Sequence, residues 1–217
     1  MDLASLLELA WPVMLKGTGY TLLFAVASMV LGLALGMLIA LVRVLELPLV
    51  AQVARVYVSA FRGTPLLVQV FIIYYGLPSI GIEFSPLTAG ILALTLNVAA
   101  YLSESLRGAV SGVGQGQWAA GTSLGLTHVQ TLRYVVAPQA LRVAVPSLSN
   151  SLISLIKDTS LVSVIAVTEL MLATKELIST TFQPFPLYIA AAGVYWVLSL
   201  SFEQVQRQLE KRLAFPH

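Results

Sequence analysis

The sequence predicts an all-α membrane protein with five transmembrane helices, and three observations carry that prediction. Of its 217 residues, 58% are hydrophobic and only 10% are charged, against about 25% charged in soluble domains. Mean hydropathy is +0.87. Charge-free stretches long enough to cross a bilayer core of about 30 Å recur along the chain. The same composition excludes several kinds of chemistry. A net charge of +2 offers no basic surface for nucleic acid, and the absence of cysteine removes disulfides, thiolate metal sites and a cysteine nucleophile. His128 and His217 are the only histidines, too few for an all-protein zinc site. No catalytic or metal-binding set emerges.

The first predicted span covers residues 17–42, between Lys16 and Arg43. It is longer than a signal-peptide core and follows Asp2 and Glu8 rather than a basic leader, so it is expected to be a retained helix. Gly32 and Gly36 within it form a GxxxG pattern, which lets a second helix approach closely. The second span covers residues 57–80; the charge-free run within it opens at a Gly63-Thr64-Pro65 break, with Pro65 in the first turn of that run. The third covers 85–106. The fourth, 143–170, is apolar at both ends and contains Lys157 and Asp158; read instead as two interfacial pieces, it would leave four spans. The fifth covers 180–203 and precedes a charged tail.

Positive charge sets the direction. With the C-terminus in the cytoplasm and the N-terminus outside, the cytoplasmic side holds Arg43, Arg55, Arg62, Arg107, Arg133, Arg142, Arg207, Lys211 and Arg212. The opposite side holds only Lys16 and Lys175, as basic residues favour the cytoplasmic face. Trp11, Trp118, Trp196, Tyr188 and Tyr195 are read as interfacial aromatics.

Residues 108–142, between spans three and four, are too many for a simple turn. Gly112, Gly114 and Gly116 open the segment, and Trp118, Ala119, Ala120, Leu124, Leu126, Val129 and Leu132 come next at broadly helical spacing. Gly125 costs a continuous helix about 1 kcal/mol, so two short helices with a turn at Gly125 fit better. Pro138 and Pro146 punctuate the residues beyond Leu132. The segment is either an amphipathic element on the membrane surface or a docking element for a cytoplasmic partner, with His128 either solvated or facing that partner.

Polar residues inside the spans are functional candidates, because burying them in lipid is costly. Lys157 and Asp158 point about 100° apart on a helix and need separate partners. Asp158 suits an α-ammonium group, with Thr159 and Ser160 nearby; the alternative is a structural pair with other helices. Asn97, Tyr101 and Glu104 fall at i, i+4 and i+7, on one helical face. Arg107, three residues beyond Glu104, can simply pair with it. Arg62 and Gln69 share a face, and a guanidinium offers bidentate capture of a carboxylate or serves as an interfacial anchor. Unpaired backbone at the break beside Thr64 is a further candidate for lining a site.

These motifs resemble a known family. Ala119-Ala120-Gly121, three residues, Gly125, then twelve residues to Pro138 resembles the EAA loop of ATP-binding cassette importer permeases. Val135-Val136-Ala137-Pro138 stands at the end of that motif, and Ala119 stands where the family has its signature glutamate. Gly17-Thr18-Gly19-Tyr20-Thr21-Leu22, Phe61-Arg62-Gly63-Thr64-Pro65-Leu66-Leu67, Asn97-Val98-Ala99-Ala100-Tyr101 with Glu104 and Arg107, and Lys157-Asp158-Thr159-Ser160-Leu161 are similar to the polar amino acid permeases. The wording is nearest to the cystine-type members.

The resemblance implies a single five-helix permease domain over residues 1–217, in the bacterial cytoplasmic (inner) membrane. Its implied partners are a cytoplasmic ATPase dimer, a second permease that is identical or related, and an extracytoplasmic amino-acid-binding protein, in surrounding lipid. Residues Arg62, Thr64, Gln69, Asn97, Tyr101, Glu104, Asp158 and Ser160 are the expected substrate contacts. Ala119, Ala120, Gly121, Gly125 and Pro138 are the expected coupling elements. The chain has no phosphate loop of the G-x-x-x-x-G-K-[ST] type, so no cofactor is expected in it, and ATP and Mg²⁺ belong to the ATPase. The rival expectations are a gradient-driven secondary transporter, against which the lack of internal repeats counts, and a non-transporting scaffold, against which Asp158 and Asn97 count.

Overall fold

A computed structural model describes residues 3–213; Asp2 and His217 lie outside them. Every regular element among the described residues is helical. α1 (Leu3–Val44) is a single helix of 42 residues, about 63 Å long. It begins well before the apolar run that starts at residue 17 and carries Pro12 and Lys16 inside it. A charge marks where a helix meets polar surroundings, not where its hydrogen bonds stop, so the apolar run understates the helix.

α2 (Pro48–Gly63) and α3 (Leu66–Phe71) come next, and α3 winds on through wider and tighter turns to Ile80. The expected span over 57–80 is therefore not one straight helix: its two pieces meet at 109°. The cause is local. Pro65 disfavours helical backbone at the residue before it, and Thr64 is extended at φ −120°, ψ 147°.

α4 (Pro86–Ser111) is N-capped by the Ser85 hydroxyl, which accepts from the Thr88 N–H. It is the most deeply buried long helix, and its largest contact is with α1. A helix in a bilayer finds lipid as apolar as any neighbour, so close approach selects the partner rather than exclusion of water. Gly32 and Gly36 supply that approach. A Cβ at Gly32 would run into Val98 Cγ1, and one at Gly36 would fall 3.1 Å from the Ala99 carbonyl oxygen and Leu102 Cβ. The partner of the GxxxG pattern is α4 of the same chain.

α5 (Gln115–Ser123) and α6 (His128–Thr131) form the expected helix–turn–helix, and α6 continues through one wide turn into α7 (Ala137–Asp158). The segment assigned to residues 108–142 therefore starts inside α4 and ends inside α7. Pro138 does not end a helix. It follows the wide turn, in which the Ala137 N–H bonds the Leu132 carbonyl, and a turn of that kind accommodates the N–H that proline lacks.

α7 ends at Asp158. A 3₁₀ stretch, Thr159–Ile165, and a left-handed Ala166 (φ 59°) then turn the chain, so residues 143–170 are not one helix. α8 (Leu170–Thr181) and α9 (Pro184–Leu213) complete the fold. Buried Glu169 caps α8, accepting from the Met171 N–H at 2.9 Å, the Leu172 N–H at 2.8 Å and the Tyr195 hydroxyl at 2.8 Å. The Leu170 N–H donates to Thr21 Oγ1 at 3.2 Å. Tyr195 thus ties α9 to α8 rather than serving as an interfacial aromatic.

Among the described residues, α1, α4 and α9 are long and apolar enough to cross a membrane, and the bent α2–α3 pair adds a fourth crossing if it counts as one. α7 falls short because it carries a row of serines and asparagine.

Candidate functional site

The break between α2 and α3 is stabilised from inside. Helix ends leave carbonyls without partners, and the buried Gln69 amide supplies donors to them. Its Nε2 donates to the Phe61 carbonyl at 2.9 Å, the Thr64 carbonyl at 3.1 Å and Thr64 Oγ1 at 2.9 Å. Asn97 Nδ2 donates to Gln69 Oε1 at 3.0 Å, which fixes the break against α4. The Tyr57 hydroxyl donates to the Leu96 carbonyl and adds a second tie.

Beside this break α4 and α7 line an open cavity of about 550 Å³. They flank α5–α6 on either side in sequence, so α7 retraces α4 in the opposite direction. The Ser105 and Ser147 hydroxyls meet at 2.7 Å across the two helices. α4 contributes Asn97, Tyr101 and Ser105 to the wall, at i, i+4 and i+8. α7 contributes Ser147, Asn150, Ser151, Ser154 and Asp158, at i, i+3, i+4, i+7 and i+11, a single helical face. Thr64, Pro65 and Leu66 close it at the break. Among the described residues, Asp158 is the only formally charged side chain on this wall.

Of the predicted substrate contacts, the fold brings Thr64, Asn97, Tyr101 and Asp158 together around the cavity. Gln69 stands behind it as the brace of the break. Arg62 is beside it, its guanidinium carbon 5.4 Å from the centroid of the Tyr101 ring. Ser160 lies in the 3₁₀ stretch, away from the wall. Lys157 is exposed and is not a wall residue, so it and Asp158 face different surroundings.

Glu104 is also outside the wall, and its carboxylate is committed within the chain. Oε2 accepts from Arg43 Nη1 at 2.6 Å, and Oε1 accepts from Arg107 Nε at 3.0 Å and from Arg107 Nη2. Arg62 Nη1 lies 4.0 Å from Oε2. The expected i, i+3 pair with Arg107 forms. No local spacing marks Arg43, sixty-one positions away, as the second partner.

The second site is the helix–turn–helix. Gly125 has φ +78°, a conformation that glycine adopts without cost. Its N–H donates to the Thr122 carbonyl at 2.9 Å and the Leu126 N–H donates to the Gly121 carbonyl at 3.1 Å, which is a Schellman closure of α5. Thr127 opens α6 with a capping box completed by Gln130. Gly121 lets the helices touch, because a Cβ there would fall 2.5 Å from Thr131 Cγ2. Ala119 and Ala120 are exposed on α5. Leu124 and Val129 present apolar surface at 79% and 57% exposure. His128 stacks on Trp118, ring centroids 4.7 Å apart, and Trp118 packs onto the cluster formed by Val113, Leu132 and Val136. The helix–turn–helix is rooted in the bundle by Trp118 and leaves Leu124 and Val129 uncovered, an exposed apolar surface of the kind that a partner protein covers.

Sequence reasoning passed over the α7 face. Serine and asparagine carry no charge, so a search for ionisable residues in apolar runs does not stop at them. Their spacing from Ser147 to Asp158 was the available signal.

Comparison with known proteins agrees with this geometry. The family described as "Binding-protein-dependent transport system inner membrane component" matches residues 32–215. The probable amino-acid ABC transporter permease protein YckA of Bacillus subtilis (strain 168) is 43% identical over 205 residues, covering 94% of this chain and 91% of that protein. The L-cystine transport system permease protein TcyB of the same organism is 43% identical over 204 residues, covering 94% of this chain and 87% of that protein. Among solved structures, the crystal structure of an amino acid ABC transporter with histidines superposes with a TM-score of 0.93 at 35% identity, covering 98% of this chain and 99% of that one. The chain therefore belongs to the family of binding-protein-dependent transport system inner membrane components, among its amino-acid ATP-binding cassette permeases, and is a multi-pass inner-membrane transporter subunit rather than an enzyme.

Proposed function

We propose that this permease carries a polar L-amino acid, with cystine the first candidate, into the cytoplasm through the cavity between α4 and α7. The observation that carries the reading is the cavity wall itself: one carboxylate, Asp158, among neutral hydrogen-bonding groups on one polar face of a membrane bundle. A polar wall in lipid is costly unless it meets a polar solute or water. Asp158 pairs with the α-ammonium group, and Arg62, over the Tyr101 ring of the wall, offers a guanidinium for a carboxylate. Cystine is favoured by the similarity to TcyB, whose name gives that substrate.

In this reading the chain crosses the membrane five times, with the N-terminus outside. α7 is the fourth crossing, its serine face turned from lipid into the cavity. The helix–turn–helix lies in the cytoplasm and docks an ATPase dimer through Ala119, Ala120, Gly121, Gly125 and the Pro138 end of α7. A second permease subunit completes the pathway, and an extracytoplasmic binding protein delivers the amino acid. ATP and Mg²⁺ act on the ATPase. Hydrolysis moves the platform, and the platform moves α4 and α7, to which Trp118 and Val136 join it.

The test is ATP-driven uptake of radiolabelled cystine and glutamine by proteoliposomes holding this chain, its ATPase and its binding protein. One of the two accumulates, and Asp158→Asn lowers the uptake by about tenfold or more, the equivalent of about 1.4 kcal/mol. Full uptake by Asp158→Asn would remove the cavity from the pathway.

A further inference from the structure

We propose that the cavity discriminates against amino acids with cationic side chains and takes those whose side chains end in a neutral or acceptor group. The inference rests on the reading of the cavity as the substrate site, and it names the side-chain class that the site accepts.

Two observations carry it. The first is which polar groups on α7 are uncommitted. Ser105 and Ser147 bond to each other, and Ser151 donates to the Ser147 carbonyl at 3.0 Å. Among the described residues, Asn150, Ser154 and Asp158 make no side-chain hydrogen bond. They stand at i, i+4 and i+8 on one face, so the line from the carboxylate past the hydroxyl to the amide rises about 12 Å along the helix. An amino acid with its ammonium on Asp158 lays its side chain along Ser154 and Asn150. A hydroxyl and an amide both donate and accept, so they satisfy a neutral polar side chain.

The second observation is what happens to the other carboxylate. A guanidinium or ammonium side chain needs an anion when it leaves water, and Glu104 is the acidic residue one turn beyond Tyr101. Both of its oxygens are held by Arg43 and Arg107, with Arg62 at 4.0 Å. One carboxylate among three guanidiniums leaves that side of the cavity positive. Arg62 also lies over Tyr101, which is part of the wall. A cationic side chain that extends from Asp158 therefore meets like charge and no second carboxylate on the wall, whereas an amide meets complementary groups, and the distal end of cystine, a zwitterion with no net charge, can turn its carboxylate toward the guanidiniums.

The experiment is equilibrium binding of radiolabelled glutamine, cystine, arginine and lysine to the purified permease–ATPase complex in lipid nanodiscs. The binding protein is left out, so that its own preference does not enter. Glutamine or cystine is expected to bind about tenfold or more tightly than arginine and lysine. Arg43→Met frees Oε2 of Glu104 and is expected to raise arginine affinity by about fivefold or more relative to glutamine, and Arg107→Met to do the same through Oε1. Arginine or lysine binding to the wild-type complex as tightly as the neutral ligands would overturn the proposal, whether or not either variant assembles. Asp158→Asn separates the two readings. If it weakens every ligand while arginine still competes equally, the site stands and the selectivity falls. If it changes none of the four, or if the wild type binds none, the substrate site falls and the selectivity goes with it.

Discussion

Gln69 illustrates how a polar side chain buried in a membrane bundle can brace a break in a helix beside the cavity. It is buried at 6% exposure, and its amide nitrogen reaches the Phe61 and Thr64 carbonyls left without partners by the break before Pro65. A buried acceptor that loses its donor costs about 1–3 kcal/mol. Gln69→Leu is therefore expected to lower the thermal unfolding midpoint of the purified complex by several degrees and to weaken amino acid binding with it. An unchanged midpoint would show that the break is held in some other way. For single residues the sequence was informative where spacing and residue type coincided. Asn97 and Tyr101 share a helical face and do line the cavity. Glu104 shares that face as well, yet Arg43 takes it, and no local pattern announces a partner on another helix. The α7 row from Ser147 to Ser154 was readable from its spacing but carries no charge to draw the eye.

The elements depend on a few small residues. Gly125 holds φ +78° at the turn between α5 and α6, where proline, locked near −65°, cannot sit. Gly125→Pro also removes the N–H that bonds the Thr122 carbonyl. This variant is expected to lose the ATPase on co-purification while the permease itself stays in the membrane, and Gly125→Asn, which tolerates the left-handed region, is expected to keep it. Retention of the ATPase by Gly125→Pro would deny the turn its docking role. On α1, Gly36 faces the Ala99 carbonyl and Leu102 at 3.1 Å, whereas Gly19 faces open space. Gly36→Leu is expected to broaden or abolish the monodisperse peak in size-exclusion chromatography, with Gly19→Leu leaving it unchanged. Equal behaviour of the two would mean that the close α1–α4 approach is dispensable. The turn at Gly125 could be read in advance because apolar spacing resumes on both sides of a helix-breaking residue. Helix ends could not: α1 runs through Lys16, and α7 starts at Ala137 and stops at Asp158. Charge patterns report the surroundings of a helix, while its ends are set by backbone bonding and by residues such as Pro65, Ala166 and Glu169.

For the whole molecule, the polar cavity and the exposed platform sit on the same two helices. α4 and α7 carry the cavity wall, and their ends nearest the turn pack with Trp118, Leu132 and Val136 beneath the platform. The platform joins α7 through continuous helix and meets α4 across the Gly112-Val113-Gly114 link by the packing of Val113 and Trp118 against Leu106 and Ala109. In the proposed reading, solute in the cavity and hydrolysis on a partner ATPase are coupled through this chain. That coupling is read from ATP hydrolysis by the reconstituted permease–ATPase complex, with the binding protein present and cystine or glutamine added or withheld. One of these amino acids is expected to raise the hydrolysis rate, and the Asp158→Asn complex is expected to hydrolyse at the unstimulated rate in its presence. A rate indifferent to every amino acid, or stimulated equally in Asp158→Asn, would mean that the cavity and the platform do not communicate.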